Sequence, residues 1–162
     1  MQKKKICMVG DFSVGKTSLT QKFVNNVFSD KYLTTIGVKI DTAIVNDTKL
    51  IVWDVAGRDS LSPINASYLV GASGVVLVAD GTRASTVSGL VDIWQTVEKR
   101  IGIVPVVVAM NKADLEDWHI DDESRAFFEK QAWDIFPTSA KVGDNVEKVF
   151  KKLVERIQSQ DN

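Results

Sequence analysis

The sequence predicts an α/β fold with a mostly parallel, doubly wound sheet of six strands and helices on both faces. Residues 75–79 and 104–110 are continuous apolar runs, which are typical of central parallel strands buried on both faces. Between these runs, the apolar residues of segment 87–101 recur mostly three or four positions apart, as on one face of a helix. An alternation of strand, helix and strand predicts parallel pairing.

The other elements alternate in the same way along the chain. The remaining predicted strands lie at 6–9, Val38–Val45, 49–54 and 134–138. The remaining predicted helices lie at Lys16–Asn25, 121–130 and 146–157. Asn46 and Asp47 favour a tight turn, so the strands on either side of them should form a hairpin.

The composition indicates one domain and excludes several classes of partner. The chain has 162 residues and a formal net charge of −1, so no general electrostatic field would attract nucleic acid or a membrane. No apolar stretch approaches the ~20 residues of a membrane span. Cys7 is the only cysteine and lies in an apolar strand, which fits a reducing compartment. We therefore expect a cytoplasmic protein. We also expect it to be a monomer.

A glycine-rich loop follows the first strand. Residues 10–17 read G-D-F-S-V-G-K-T between a strand and a helix, the context that a phosphate-binding loop requires and that a chance match would lack. Gly10 and Gly15 let successive backbone N–H groups turn toward an anion at the helix N-terminus. Lys16 would reach the β- and γ-phosphates, and the Thr17 hydroxyl would bind Mg²⁺. The predicted phosphate-binding residues are Ser13, Val14, Gly15, Lys16, Thr17 and Ser18.

A second motif, Asn111-Lys112-Ala113-Asp114, follows a later strand and indicates which nucleotide is bound. The Asp114 carboxylate accepts hydrogen bonds, which suits the donor edge of guanine, whereas the unprotonated N1 of adenine would leave it without a donor. A buried acceptor without a partner costs about 1–3 kcal/mol. Taken alone, the motif could equally be a surface turn, since Asn and Asp favour turns. Its combination with a phosphate loop favours guanine.

Ligands of parallel α/β sheets bind at the carboxyl ends of the strands. The segments at that edge are the phosphate loop, 54–57, the residues from 80 onward, 111–114 and 139–141. Asp54 ends an apolar strand, where the Mg²⁺-associated carboxylate of a phosphate-loop enzyme would lie. Gly57 could bring a backbone N–H against a γ-phosphate, because no side chain intervenes.

Together with segments 32–38 and 53–57, these motifs make the chain similar to the Ras-superfamily small GTPases, and most similar to their Rab-like branch. The resemblance runs from Lys4 to about Ile157, with the motifs in the family's order and spacing. It implies the P-loop NTPase (small G-protein) fold and a single G domain over residues 1–162. It also implies a guanine-nucleotide switch that hydrolyses GTP to GDP with Mg²⁺.

The resemblance implies roles for individual residues as well. Phe28 would pack against guanine, Ala140 would donate its backbone N–H to guanine O6, and the stem of Lys112 would lie over the ring. The implied guanine-binding residues are Phe28, Asn111, Lys112, Asp114, Ser139, Ala140 and Lys141. The implied Mg²⁺ ligands are Thr17, Thr35 and Asp54. The predicted catalytic residues are Lys16, Thr35, Gly57 and Arg58.

Two positions depart from the family's pattern. The family usually has a glutamine after the second-switch glycine, where it orients the attacking water, but this chain has Arg58. All polar groups of arginine are donors, so Arg58 cannot accept a hydrogen bond from water, and we expect slow intrinsic hydrolysis. Arg58 would otherwise stabilise charge on the γ-phosphate, or be a solvated loop residue. Phe12 stands where relatives often carry a small residue, and would crowd an activating protein's arginine or pack against the switch residues.

The resemblance also implies partners. Mg²⁺·GTP would order two loops, 29–37 and 57–68, through which effector, exchange-factor and activating proteins would bind. The chain ends without the cysteine that prenylation needs. Either a lipidated tail has been removed, or the protein resembles the unlipidated Rab-like proteins of prokaryotes, which is the alternative we favour. We expect no direct membrane anchor in this chain and no nucleic-acid partner.

Three functions remain open from the sequence. The leading one is a GTP-hydrolysing switch, and the second is a GTP-binding interaction module with little or no hydrolysis. The third is another P-loop enzyme, such as a nucleotide kinase, which would need a basic substrate lid that the chain has no room for. Turnover separates the first two functions, and competition by ATP separates the third from both.

Overall fold

The computed structural model describes residues 1–11, 14–25, 29–33, 38–55 and 66–160, with residues 29–33 described by their backbone. The strands are β1 Gln2–Gly10, β2 Ser29–Leu33, β3 Val38–Val45, β4 Thr48–Val55, β5 Gly74–Asp80, β6 Val106–Asn111 and β7 Asp134–Pro137. The helices are α1 Lys16–Asn25, α2 Ala84–Ile101, α3 Asp122–Lys130 and α4 Val146–Gln160. The six predicted strands and the four predicted helices occur in the predicted order, and β2 is an additional strand.

Over the described ranges, the strands form one sheet in the order β2-β3-β4-β1-β5-β6-β7. β1 pairs in parallel with β4 and β5, and parallel pairing continues from β5 through β6 to β7. β3 and β4 pair antiparallel. The predicted mostly parallel α/β architecture is therefore confirmed.

Strand β2 is not one of the six predicted strands. The sequence predicts a loop over residues 29–37, but Ser29–Leu33 pairs antiparallel with residues 39–43 of β3. The sheet therefore has seven strands in the part of the chain that the structure describes. The outer side of β3 would otherwise leave a row of backbone N–H and C=O groups without strand partners, and an adjacent extended segment satisfies them. The sequence of β2, Ser-Asp-Lys-Tyr-Leu, carries no apolar alternation that would have predicted it.

The hairpin between β3 and β4 turns at the predicted residues. Asn46 and Asp47 have φ values of 48° and 61°. Positive φ at both central residues is the signature of a type I′ turn, whose twist matches that of two antiparallel strands. The hairpin brings Asp54, near the end of β4, back to the edge of the sheet where β1 ends.

Alternate residues of the central strands pack on opposite faces of the sheet. On one face, Ile6 and Met8 lie in a core with α1 and α4, where the rings of Phe23 and Phe150 stack with centroids 3.8 Å apart. On the other face, Cys7 lies in a core with α2 and α3. Helices therefore cover both faces, as the sequence predicts.

The described helices lie within a few residues of their predicted bounds. α3 begins at Asp122 because Asp121 is its N-cap, and the Asp121 carboxylate accepts a hydrogen bond from the Ser124 backbone N–H at 2.9 Å. This hydrogen bond lowers the pKa of Asp121. Within the described residues, no helix combines the length and the apolar character needed to cross a membrane.

The parallel strands place the segments with the predicted motifs along one edge of the sheet. Two backbone hydrogen bonds join neighbouring segments there. The N–H of Gly81, after β5, donates to the carbonyl of Asn111 at 3.1 Å, and the N–H of Ala113 donates to the carbonyl of Thr138 at 2.9 Å. The segments that follow β5, β6 and β7 are therefore fixed relative to one another.

Candidate functional site

The glycine-rich loop needs glycine where it meets its neighbours. Gly15 has a φ of 98°, and a Cβ at this position would lie 2.1 Å from the Asn111 side-chain nitrogen. At Gly10, a Cβ would lie 2.2 Å from the backbone carbonyl oxygen of Val78. No side chain fits at either position, because real Cβ atoms do not approach other atoms so closely. The loop therefore lies directly against β5 and the Asn111 amide.

Lys16 lies at the start of α1 with its ammonium inside the loop. Only 7% of the residue is exposed, and Nζ donates hydrogen bonds to the carbonyls of Gly10 and Asp11, both at 3.2 Å. Burial lowers the pKa of Lys16, and the nearby Asp54 and Asp11 carboxylates oppose that shift. A buried cation held by neutral carbonyls is stabilised further by an anion, so Lys16 suits a phosphate ligand.

Thr17 and Asp54 form a second polar contact beside the loop. The Thr17 hydroxyl donates to Asp54 Oδ2 at 2.5 Å, and Asp54 is only 5% exposed. A hydrogen bond from a hydroxyl to an ionised carboxylate is charge-assisted. The pair places two hard oxygen donors side by side, as the predicted Mg²⁺ site requires.

Asn111 joins the glycine-rich loop to the loops after β6 and β7. Its side chain is almost fully buried: Nδ2 donates to the carbonyl of Val14 at 2.9 Å, while Oδ1 accepts from the Thr138 hydroxyl at 3.2 Å and the Ala140 N–H at 3.4 Å. The amide of Asn111 therefore connects these loops to one another. This geometry is compatible with the predicted place of Asn111 beside the base, but the observed contacts of its side chain are with other residues of the protein.

Ser139 orients the carboxylate of Asp114. The Ser139 hydroxyl donates to Asp114 Oδ1 at 2.8 Å and accepts from the Val142 backbone N–H at 3.2 Å. Ser139 is fully buried, whereas Asp114 is exposed. Ser139 is thus behind Asp114, and its contacts position the carboxylate that would accept hydrogen bonds from a base.

A pocket of about 340 Å³ opens between these loops. Its size lies in the range of small-molecule sites. Most of the predicted phosphate- and base-binding residues of the described chain converge on it. Its lining residues are Gly15, Ser18, Asn111, Lys112, Asp114, Leu115, Ala140 and Lys141.

Lys112 makes an ion pair that was not predicted from the sequence. Its Nζ lies 3.0 Å from Oδ2 of Asp80, the last residue of β5. The segment from Asp80 onward was expected at this edge of the sheet, but without a role. The sequence did contain a signal for this ion pair. Asp80 is a carboxylate at the carboxyl end of a strand, and the neighbouring strand carries the base motif.

Comparison with known proteins identifies the family of the chain. The family model described as Ras family matches residues 5–159. This chain belongs to the Ras family.

Named relatives of this Ras-family chain include Ras-related proteins called Rab. It is 33% identical over 162 residues to Ras-related protein Rab-1 of Theileria annulata, an alignment that covers 95% of this chain and 74% of the relative. It is 35% identical to Ras-related protein Rab-18-B of Danio rerio, with 94% and 78% covered. Ras-related protein SEC4 of Saccharomyces cerevisiae is 33% identical, with 95% and 74% covered. The predicted Rab-like identity and P-loop GTPase fold are therefore confirmed.

Family membership gives the site its general chemistry. Ras-family proteins of the Rab type are GTP-binding switches that hydrolyse GTP, so the ligand of this chain is a guanine nucleotide. Oxygen donors from Thr17 and Asp54 fit a Mg²⁺ ion that accompanies the nucleotide. Within the described residues, no cluster of three or more His, Cys, Asp or Glu side chains could hold a metal ion by itself. Mg²⁺ is usually bound through one or two carboxylates, and it completes its shell with substrate phosphates and waters.

Some predicted site residues lie outside the described residues. The predicted phosphate-binding, guanine-binding, metal-binding or catalytic residues outside the described ranges are Ser13, Phe28, Thr35, Gly57 and Arg58. Phe12 also lies outside them. Of the predicted switch loops, positions 34–37 and 57–65 are likewise outside. Their predicted roles remain predictions.

Proposed function

We propose that this Ras-family protein is a guanine-nucleotide switch with slow intrinsic hydrolysis of GTP, acting as a single G domain over residues 1–162. The observation that carries the proposal is the pocket in which the phosphate loop and the base motif meet, with Asn111 bonded to both sides. A nucleotide whose base lies in this pocket beside Asp114 would extend past Gly15, so that its phosphates reach Lys16 in the adjoining loop. We also propose that the protein is monomeric and cytoplasmic.

Guanine is selected by donors and acceptors around the pocket. Asp114, held by Ser139, accepts from the N1–H and exocyclic amine of guanine, and the stem of Lys112 lies over the ring. Phe28, Ala140 and Lys141 complete the base site. Asp114 is exposed in the free protein, but a bound base would cover it. An adenine there would leave the covered carboxylate facing an unprotonated nitrogen, at a cost of about 1–3 kcal/mol. ATP that displaces labelled GDP would contradict this assignment and favour a nucleotide kinase.

Hydrolysis is the in-line attack of water on the γ-phosphorus of GTP, which yields GDP and inorganic phosphate. Lys16 and backbone N–H groups of the phosphate loop stabilise charge that develops on the phosphate oxygens. Thr17, Thr35 and Asp54 would hold Mg²⁺, which neutralises phosphate charge when it is bound. Gly57 offers its backbone N–H to the γ-phosphate.

Arg58 is the reason to expect a slow reaction. The glutamine usual at this position can accept a hydrogen bond from the attacking water, and an arginine can only donate. Without that acceptor, the water occupies its reactive position less often, which lowers the intrinsic rate. The GTP-bound state is then long-lived unless a partner supplies the missing group.

Single-turnover hydrolysis of pre-loaded GTP tests the proposal. Wild type, Arg58→Gln and Arg58→Ala are loaded with GTP, Mg²⁺ is added, and phosphate release is followed. We expect slow release from wild type and from Arg58→Ala, and faster release from Arg58→Gln. Arg58→Ala is the matched control, because it removes the guanidinium without adding an acceptor. Fast wild-type turnover that neither substitution changes would contradict the proposal and make Asp59 the next residue to test.

A GTP-binding interaction module with little or no hydrolysis is the second candidate. Arg58 and Phe12 favour it, because the first removes the usual water-orienting group and the second would crowd an arginine inserted by an activating protein. Under this alternative, neither Arg58→Gln nor an activating protein produces turnover. A Phe12→Gly substitution that leaves activator-stimulated turnover unaltered would remove the proposed role of Phe12.

We propose that partners recognise the GTP state through segments 29–37 and 57–68. Effector, exchange-factor and activating proteins interact in this general way with Rab and Ras proteins, which supports the proposal. The pairing of β2 with β3 adds support, because it joins the first of these segments to the edge of the sheet. A partner captured equally well with GDP and with a non-hydrolysable GTP analogue would contradict it.

A further inference from the structure

We infer that Asp80 is a positioning residue that holds the side chain of Lys112 in the orientation needed for guanine binding, and so slows nucleotide release. The inference rests on the proposed guanine site, since that proposal places Lys112 against the base. Asp80 lies at the end of β5 and is none of the residues predicted to bind nucleotide. It touches Lys112 and acts through it.

The Asp80 carboxylate is fixed at both of its oxygens. Oδ1 accepts hydrogen bonds from the Thr82 backbone N–H at 2.8 Å and from the Thr82 hydroxyl at 2.6 Å. Oδ2 lies 3.0 Å from Lys112 Nζ. The Asp80 side chain is 1% exposed and that of Lys112 is 36% exposed, so a buried anion holds a half-exposed cation. Thr82 therefore sets the direction in which the carboxylate faces Lys112.

The charge state of Asp80 agrees with this arrangement. Desolvation alone would raise its pKa, but hydrogen bonds from Thr82 and Lys112 outweigh that effect, and the net pKa of Asp80 is lowered. The carboxylate is consequently ionised at neutral pH. An ionised acceptor makes the bond to the Lys112 ammonium charge-assisted.

Backbone hydrogen bonds also join the segments that carry Asp80 and Lys112. The Gly81 N–H donates to the Asn111 carbonyl at 3.1 Å, and the His119 N–H donates to the Gly81 carbonyl at 2.8 Å. Lys112 itself has a φ of 65°, which is uncommon outside glycine. Because these backbone bonds are independent of the ion pair, we expect the ion pair to act on the rotamer of Lys112.

Selecting that rotamer favours the bound nucleotide. A lysine on an exposed loop samples many rotamers, and fixing it when a ligand binds costs conformational entropy. Asp80 restricts Lys112 before the base arrives, so less entropy is lost on binding. Weakening the pair should therefore speed nucleotide release without altering the chemistry of hydrolysis.

Release of a fluorescent GDP analogue from the full chain, with Mg²⁺ present, tests the inference. Asp80→Asn keeps an oxygen for Thr82 and removes the charge that faces Lys112. We expect release to become about fivefold to tenfold faster, which is the factor expected from losing a charge-assisted bond to a half-exposed partner. Thr82→Val is the matched control, because it removes the hydroxyl bond to Oδ1 but leaves the charge of the carboxylate and the bond from the Thr82 backbone N–H, which still directs Oδ2 toward Lys112. Release from this variant should stay within about twofold of wild type. Equal rates for Asp80→Asn and wild type would overturn the inference.

A second background separates positioning from general loop damage. Lys112→Met keeps the aliphatic stem and removes the ammonium, and alone it should speed release at least as much as Asp80→Asn. Adding Asp80→Asn to Lys112→Met should then cause no further acceleration. A structural role independent of Lys112 predicts instead the same factor in both backgrounds, which would overturn the inference. Lys112→Met at the wild-type rate would overturn it too, and this result does not depend on whether Asp80→Asn folds.

Inosine diphosphate, which lacks the exocyclic amine that Asp114 recognises, gives an independent readout. Asp80→Asn should weaken GDP and inosine diphosphate by the same factor, because it acts through Lys112. A changed ratio would place the effect on Asp114 and contradict the inference. If wild type fails to bind GDP at all, the proposed guanine site fails. If wild type binds tightly and Asp80→Asn behaves identically, only the role of Asp80 fails.

Discussion

Replacing Asn111 by alanine tests how the two halves of the nucleotide site are held together. The substitution removes the hydrogen bond to the Val14 carbonyl at 2.9 Å and the acceptor for the Thr138 hydroxyl at 3.2 Å and the Ala140 N–H at 3.4 Å. These partners are buried or half-buried, and each buried group that loses its partner costs about 1–3 kcal/mol. The bond to Ala140 is long and contributes least. We therefore expect a total loss of about 2–4 kcal/mol.

That loss divides between nucleotide affinity and the stability of the fold. The same bonds hold the loops in place before a nucleotide binds, so part of the loss lowers the free energy of unfolding and the rest weakens binding. If all of it appeared in binding, GDP affinity would fall about 30-fold to 700-fold, since about 1.4 kcal/mol corresponds to a factor of ten. We expect GDP release to accelerate at least about tenfold, with the remainder visible as a lower unfolding temperature.

Thr138→Val is the matched control for Asn111→Ala. It removes one donor to Asn111 Oδ1 and leaves the backbone bonds of Thr138 to Met110 and Ala113 unchanged. A single bond of this kind is worth about 1 kcal/mol, so release should accelerate by no more than about fivefold. Release of a fluorescent GDP analogue and thermal unfolding are measured for both variants. If Asn111→Ala releases GDP no faster than Thr138→Val, Asn111 does not couple the phosphate loop to the base loops.

Three further predictions concern the fold. Phe150→Ala removes the stacking partner of Phe23 and should destabilise the protein by about 3–5 kcal/mol in urea unfolding, and a loss below about 1 kcal/mol would contradict the packing. Burial raises the pKa of the Cys7 thiol to about 12, so the folded protein should not react with Ellman's reagent at pH 8, whereas unfolded protein should. Gly81→Ala places a Cβ 2.2 Å from the Trp118 ring, so the unfolding temperature should fall by several degrees; an unchanged temperature and tryptophan fluorescence would show that the ring moves without cost.

Motif spacing predicted the residues whose chemistry is local. Lys16 lies at the start of α1, inside the loop, because a strand, a glycine-rich turn and a helix follow one another within a short stretch of chain. Thr17 and Asp54 are in contact. Predicting that they share a site required one further rule, that ligands of parallel sheets bind at the carboxyl ends of the strands. Buried strands were predictable because a short, continuous apolar run between turn residues is typical of a strand covered on both faces.

The rest depended on contacts between distant segments. The side chain of Asn111 bonds a carbonyl 97 residues away, and no local pattern distinguishes that contact from one to a base. Ser139 was predicted to bind guanine, yet its hydroxyl lies behind Asp114 and positions it. The sequence did not predict β2, because its extended backbone depends on pairing with the outer edge of β3 and not on its own residues. In each case tertiary context, and not residue type, decides the role.

These contacts imply that substitutions will affect binding and hydrolysis separately. The base side of the site includes two side-chain contacts, Ser139 to Asp114 and Lys112 to Asp80. Neither contact involves a group proposed to stabilise charge on the γ-phosphate. Changes among them should therefore alter how long GDP or GTP stays bound, while the single-turnover rate of bound GTP stays constant. Changes at Arg58 should do the reverse, because a water-orienting group lowers the barrier for bound GTP without touching the base.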